Sequence, residues 1–240
     1  RQQAEVGIDI VSDGEFGKLR SWSFYVLDRL SGIEERDLEV FQSEHRTACA
    51  TVLLLDISHS MTLYGEDRMT PAKHVALALA ELVASEFPKD VFEVALFGDE
   101  ARRVPREELP FVTNGPFHTN TRAGLRLARE LLARTKAANK QIFMVTDGKP
   151  SAITESDGTI YRNPIGLDRR IVNKTLEEAA ECRRKGIPVT TFLVARDPGL
   201  VAFVDEFTKT NRGRAYFSDP DQLGAAVFVD YLRNRRRRVR

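Results

Sequence analysis

From about residue 50 the chain alternates short apolar runs with longer amphipathic ones, and that rhythm sets the expectations for its fold. ATVLLLD (50–56) is an uninterrupted apolar run of strand length, as a strand covered on both faces requires. TPAKHVALALAELVASEFP (70–88) repeats Val75, Leu79, Leu82 and Val83 at helical spacing, with Thr70 as expected N-cap and Pro71 at the first helical position. VFEVALFG (91–98) predicts a second strand and ARRVP (101–105) a short edge strand paired with it. TNTRAGLRLARELLA (119–133) predicts a helix that buries Leu125, Leu127, Leu131 and Leu132, and KQIFMVTDG (140–148) another buried strand. KPSAITESDGTIYRNPIG (149–166) lacks either period and carries a turn signal at Asp157-Gly158, which predicts a long loop or small hairpin. A helix over 167–186, a strand over 187–195, a helix opened by Asp197-Pro198, a short strand over 214–217 and a last helix over 219–232 complete the pattern.

Strands that alternate with helices predict an α/β fold: a doubly wound, mostly parallel, Rossmann-like sheet with helices on both faces. In such sheets ligands bind beyond the carboxyl ends of the strands, where the strand order reverses. Two of the predicted strands end in aspartate, Asp56 and Asp147. If those strands are neighbours, both carboxylates meet in one crevice.

Composition narrows the class. With 42% hydrophobic and 30% charged residues the chain has the make-up of an ordinary globular protein. Its net charge of +1 hides an asymmetry: RNRRRRVR (233–240) holds six arginines, and without them 30 basic residues face 35 acidic ones. The plain reading of this basic tail is a solvated end, and the alternative is a grip on nucleic acid or an acidic partner. No aromatic residue is interleaved with it, so stacking on bases is unsupported. Two cysteines, Cys49 and Cys182, make no disulfide framework and suit a reducing compartment. No apolar run approaches the length of a membrane span, and the expected location is cytoplasmic.

The chemistry is concentrated in D-x-S-x-S, where Asp56, Ser58 and Ser60 leave the first strand together. A carboxylate and two hydroxyls are hard oxygen ligands, suited to Mg²⁺, Mn²⁺ or Ca²⁺ and poor for zinc. Mg²⁺ takes about six oxygens, so neighbouring loops must add more. HTNT (118–121) offers a hydroxyl from Thr119 or Thr121, and VTDGKP (145–150) offers Asp147.

Residues 38–232 with these motifs resemble a von Willebrand factor A (vWA) domain: D-x-S-x-S after the first strand, T-N before a helix, and T-D-G at the end of the fourth strand. The resemblance implies that family's metal-ion-dependent adhesion site on Asp56, Ser58, Ser60, Thr119 and Asp147, with Thr119 favoured over Thr121 by the T-N match. It implies a protein-interaction module rather than an enzyme, in which a partner's Glu or Asp displaces a metal-bound water. Two aspartates neutralise the divalent ion, so the expected complex with that carboxylate is net negative. Family members commonly place glycines ahead of the threonine; here Phe117 and His118 crowd the loop instead. Among vWA proteins the chain is similar to intracellular prokaryotic members such as the C-terminal domain of the magnesium-chelatase D subunit, which implies an AAA+ ATPase partner of the chelatase or MoxR type. Residues 1–37, with GIDIVSDGE and DRLSG, resemble one βα unit of the cobalamin-independent methionine synthase barrel. That stub holds no cysteine or histidine, so no methyl-transfer chemistry is expected, and a junction is expected near Asp37. A competing reading makes the centre a metal-assisted hydrolase through His59 or His118. Against it, strand-like alternation turns residue 59 away from the metal, and His118 precedes a ligand without replacing it.

Overall fold

The computed structural model describes residues 48–235, apart from positions 66, 116, 164, 196, 220 and 221. The expected βα stub of residues 1–37 and the last five residues lie outside the described residues. In chain order the elements are β1 (Cys49–Asp56), α1 (Met69–Glu86), β2 (Val91–Phe97), β3 (Ala101–Val104), α2 (Thr121–Ala133), β4 (Asn139–Thr146), β5 (Ala152–Thr154), β6 (Ile160–Arg162), α3 (Arg169–Arg184), β7 (Val189–Leu193), α4 (Pro198–Asn211), β8 (Arg214–Phe217) and α5 (Leu223–Arg235). Short 3₁₀ turns occupy His59–Gly65 and Arg106–Phe111.

Six strands form one sheet in the order β3-β2-β1-β4-β7-β8, parallel throughout except where β3 folds back against β2. The chain winds outward from β1 through β2 and β3, then crosses to β4 and winds the other way. The reversal lies between β1 and β4, so the crevice expected of a doubly wound sheet opens between their carboxyl ends. Every residue of β1 is buried, as befits a strand with neighbours at both edges and helices over both faces.

Alternation along the strands divides the core in two. Leu53, Leu55, Phe143, Val145 and Phe192 face α1 and α5, where Val75, Leu79, Val83, Val227 and Tyr231 meet them. Val52, Leu54, Ile142 and Met144 face the opposite layer, packing with Leu125 and Leu132 of α2, Cys182 of α3 and Phe203 and Phe207 of α4. Both cysteines are buried and free. Burial pushes the Cys49 thiol up to about 11 and the Cys182 thiol up to about 12, so both stay protonated near neutrality. Among the described residues no helix is long and apolar enough to cross a membrane.

The elements depart from expectation in a few places, each for a physical reason. α1 begins at Met69, and its first turn is capped by Asp67 rather than Thr70. The carboxylate accepts both the Thr70 N–H at 2.9 Å and the Thr70 hydroxyl at 2.6 Å. Thr70 is thereby a donor to the cap, and an anion at a helix start is favoured by the helix dipole. Leu82 and Leu127, expected in the core, are half-buried at the edge of it. The aperiodic segment after β4 is a hairpin, β5 against β6, turning at Asp157-Gly158.

The last helix extends beyond the expected domain boundary at residue 232. Arg235 is 8% exposed, stacks over the Phe87 ring at 4.1 Å, and donates from Nε to Asp90 Oδ2 at 2.8 Å. Asp90 also accepts the Tyr231 hydroxyl at 2.9 Å and the Cys49 N–H at 3.0 Å. The first arginines of the basic run therefore belong to the folded unit. Truncation after Leu232 strips a buried carboxylate of its cation, so urea unfolding is expected to show a loss of about 3 kcal/mol. An unchanged midpoint would show that Arg235 carries none of this stability.

Candidate metal centre

The pairing of β1 with β4 places Leu55 opposite Val145, so the two chains leave the sheet side by side. Asp56 is the last residue of β1 and is fully buried. Its Oδ1 accepts the Ser58 N–H at 2.8 Å, which folds D-x-S-x-S into a tight turn around the carboxylate. Its Oδ2 accepts the Thr146 hydroxyl at 2.5 Å from the neighbouring strand. Ser58 Oγ lies 3.1 Å from Ser60 Oγ, and the Ser60 hydroxyl donates to Asp147 Oδ1 at 2.6 Å. These contacts alone join four of the five expected ligands.

Thr119 arrives from the loop ahead of α2. The hairpin holds that loop: the Thr119 N–H donates to Ser151 Oγ at 3.0 Å, and the Thr119 carbonyl accepts from the Ser151 N–H at 2.9 Å. The next residue, Asn120, is fully buried and caps α2 through the Ala123 N–H at 3.0 Å. Its amide donates to the Asp99 carbonyl at 2.8 Å and the Thr154 hydroxyl at 3.0 Å. The T-N pair thus supplies one oxygen to the centre and one residue that locks the loop in place.

Gly148 shows how closely the oxygens converge. A β-carbon there would lie 2.9 Å from Thr119 Oγ1, 3.2 Å from Ser60 Oγ and 3.7 Å from Asp56 Oδ2. Thr119 is therefore the threonine whose hydroxyl reaches the cluster; Thr121 is the buried first residue of α2. The crowding expected from Phe117 is absorbed by two other glycines. A β-carbon at Gly98 or Gly115 would meet the Phe117 side chain at 2.9 or 2.5 Å.

The electrostatics of this cluster favour a cation. Burial, and then the charge of Asp147, pushes Asp56 up to about 7. Two carboxylates in a water-poor crevice oppose one another's ionisation, and additional positive charge relieves that opposition. The donor set, two carboxylates and three hydroxyls, fits a hard divalent ion. Among the described residues there is no group of three or more His, Cys, Asp or Glu that could hold a metal. A site for a softer ion, built on thiolate or imidazole, is thus not among them.

Sequence reasoning missed four residues here: Thr146, Gly148, Ser151 and Arg68. The Arg68 guanidinium pairs with Asp147 Oδ2 at 2.7 Å, with the arginine side chain 12% exposed and the aspartate side chain fully buried. Thr146 and Gly148 flank Asp147 in the T-D-G motif and so were legible as neighbours of a ligand. Nothing in the local pattern marks Arg68. His59 is exposed, and its N–H donates to the Phe117 carbonyl at 3.1 Å. His118 Nδ1 lies 3.3 Å from Asp99 Oδ1 without hydrogen-bond geometry, and Arg162 also binds that aspartate, at 3.0 Å. The His118 backbone N–H donates to Asp99 Oδ1 at 2.9 Å, which holds the residue beside the crevice.

With this geometry in hand, comparison with known proteins is decisive on family. The model of the Rv0959-like protein vWA domain matches residues 49–232. The chain belongs to this vWA family. It is 39% identical over 217 residues to the uncharacterized protein Rv0959 of Mycobacterium tuberculosis and, to the same extent, to the uncharacterized protein Mb0984 of Mycobacterium bovis. Each likeness covers 88% of this chain and 32% of the relative, so the chain spans about a third of the length of these curated relatives. Solved structures with the same fold include the vWF domain of the type V pili tip protein Mfa5 from Porphyromonas gingivalis, with a TM-score of 0.61, 14% identity, and coverage of 81% of this chain and 98% of that one. BatB from Bacteroides thetaiotaomicron gives a TM-score of 0.58 at 16% identity, covering 78% of this chain and 98% of that one. The D319A mutant of the PilB minor pilin from Streptococcus sanguinis gives 0.64 at 14% identity, covering 80% and 62%. At these identities the likeness establishes the vWA fold alone.

Thr146 offers a direct test of the site's internal support. In metal-free protein, Thr146→Val is expected to lower unfolding free energy by about 1–3 kcal/mol, since a buried carboxylate loses its hydroxyl donor, while Thr146→Ser stays near wild type. Equal urea midpoints for the two variants would show that the bond to Asp56 contributes nothing.

Proposed function

We propose that this vWA domain is a metal-ion-dependent protein-interaction module and that its partner supplies an acidic side chain to the metal. The observation that carries this reading is the convergence of Asp56, Ser60 and Thr119 oxygens on the space beside Gly148, with Ser58 and Asp147 both within hydrogen-bond distance of Ser60 Oγ. Asp56 and Asp147 hold the ion by charge. Ser58, Ser60 and Thr119 present hydroxyl oxygens to it, and Thr146 keeps the Asp56 carboxylate oriented. Mg²⁺ is the proposed ion, with Mn²⁺ or Ca²⁺ as substitutes that the same oxygens accept. When bound, the ion supplies a coordination position that a partner's carboxylate oxygen takes from water.

The role is a binding one. No nucleophile or general base is assigned, and the placement of His59 and His118 supports neither as a catalyst. The resemblance to the magnesium-chelatase D subunit supports a cytoplasmic adaptor whose partner is an AAA+ ATPase of the chelatase or MoxR type. Membrane contact and nucleic-acid binding form no part of the proposed role. Asp56→Ala is expected to abolish Mg²⁺-dependent capture of that ATPase with the fold retained, and His59→Ala and His118→Ala to leave capture unchanged. Gly148→Ala, which fills the space where the oxygens meet, is expected to weaken Mn²⁺ binding by about tenfold or more in a calorimetric titration. Capture that persists in excess chelator would sink this reading.

A further inference from the structure

We infer that the end of the sheet opposite the metal centre is an anion-binding site, in which Lys140, Arg183 and Arg212 take up a small molecule that carries more than one phosphate group. A cavity of about 500 Å³ lies where β1, β4 and β7 begin, bordered by the ends of α3 and α4. That volume is in the range of small-molecule sites. Lys140 is the second residue of β4, Arg183 lies in the last turn of α3, and Arg212 directly follows α4. Among the described residues that line the cavity, none is acidic and none is aromatic. Neither the Arg183 nor the Arg212 guanidinium has a hydrogen-bond or ion-pair partner among the described residues. Lys140 Nζ donates to the Thr135 carbonyl at 3.0 Å, an uncharged group that leaves its charge unmatched.

Two features set these arginines apart from cations that merely offset helix ends. Arg184 and Lys209, on the same two helices, each pair with an acid, Glu181 and Asp205. The terminal carbonyls of α3 and α4 are taken by backbone amides: the Gly186 N–H donates to Arg183 at 2.9 Å, the Ile187 N–H to Cys182 at 2.9 Å and the Gly213 N–H to Thr208 at 3.2 Å. Arg212 is also the one non-glycine residue with positive φ among the described residues, at 58°, where glycine or asparagine is less strained. Its neighbours hold it there. Asn211 Oδ1 accepts the Val189 N–H at 2.7 Å, its amide donates to the Ala179 carbonyl at 3.0 Å, and a β-carbon on Gly213 would stand 1.9 Å from the Val189 carbonyl oxygen. An arginine thus occupies a position that disfavours it, with a charge that no group of the fold takes up, and strain of this kind marks functional positions. Guanidinium groups match phosphate oxygens in pairs. Three cations without a facing acid suit a polyanion, and a cavity wall without aromatics gives a nucleobase nothing to stack on.

The test titrates the full chain with tripolyphosphate in a calorimeter, in metal-free buffer so that no ion bridges anion and protein. Wild type is expected to bind one equivalent, more weakly as salt rises from about 50 to about 300 mM. R183Q and R212G are each expected to weaken binding about tenfold. R212G relieves the left-handed strain, so its circular dichroism should match wild type and its urea midpoint should be no lower. R184Q removes the same charge from the adjacent position outside the cavity and is expected to stay within about twofold of wild type. ATP is expected to match tripolyphosphate within about threefold, since only the phosphates are read. No binding by wild type, unchanged affinity in both R183Q and R212G, or an equal loss in R184Q and R183Q overturns the site. ATP binding about tenfold or more tighter than tripolyphosphate overturns the ligand class.

Discussion

A carboxylate buried at the end of a central strand is a costly thing to build, and the arrangement around Asp56 follows from that cost. Isolated in such a place, an ionised aspartate is opposed by desolvation, and a second aspartate in the same crevice adds repulsion. The chain answers with short hydrogen bonds from Ser58 and Thr146, with a hydroxyl relay through Ser58 and Ser60 to Asp147, and with the guanidinium of Arg68 on the far oxygen. These groups come from the turn after β1, the end of β4 and the start of α1, so the site exists only while β1 and β4 stay adjacent and in register. The fold and the candidate site are therefore not separable here: the strand pairing that buries the core also brings the two acids together.

The winding of the sheet explains why these oxygen-bearing side chains gather in this crevice. Between β1 and β4 the connections diverge, one set of helices passing to each face, and no crossover covers the gap. The loops that border it are fixed by polar contacts rather than by apolar packing. Asn120, Ser151, Asp99 and Thr154 tie the Thr119 loop to the hairpin. Small residues then let these pieces close in, with Gly148 beside the oxygens and Gly98 and Gly115 beneath Phe117. Loops held by directional bonds fix these oxygen-bearing side chains more precisely than apolar contacts alone do.

A second buried acid, Asp90, is compensated in a different way. It lies between α1 and β2, where it gathers Tyr231, Arg235 and the start of β1, and it binds no expected ligand. The difference between the two acids is one of compensation. Asp90 has a stacked guanidinium and a phenol on one oxygen and a backbone amide on the other. Asp56 is bonded by the Ser58 amide and by the Ser58 and Thr146 hydroxyls, has no cation of its own among these partners, and faces another acid. A satisfied buried charge holds a fold together, and an under-compensated one invites a cation.

Apolar periodicity was sufficient to place the strands of the six-stranded sheet and the five α-helices to within a few positions, because burial on both faces of a parallel sheet leaves long apolar runs and amphipathic helices little freedom; the β5–β6 hairpin was marked only by its turn at Asp157-Gly158. The five oxygen-bearing residues were legible as well, since the spacing of D-x-S-x-S and the position of Asp147 at a strand end are local features of the chain, and the resemblance added Thr119. What the pattern left open were the interactions between distant segments. The reach of Arg68 across to Asp147 depends on how α1 sits over the turn, the capping of α1 by Asp67 on competition between two nearby acceptors, and the burial of Arg235 on a helix end meeting the start of α1's neighbouring strand. Residue types and spacing determine which local structures form and which atoms are offered to a ligand. Only the packed structure decides which charges come within a few ångströms of one another, because electrostatic pairing depends on distance through space and not along the chain.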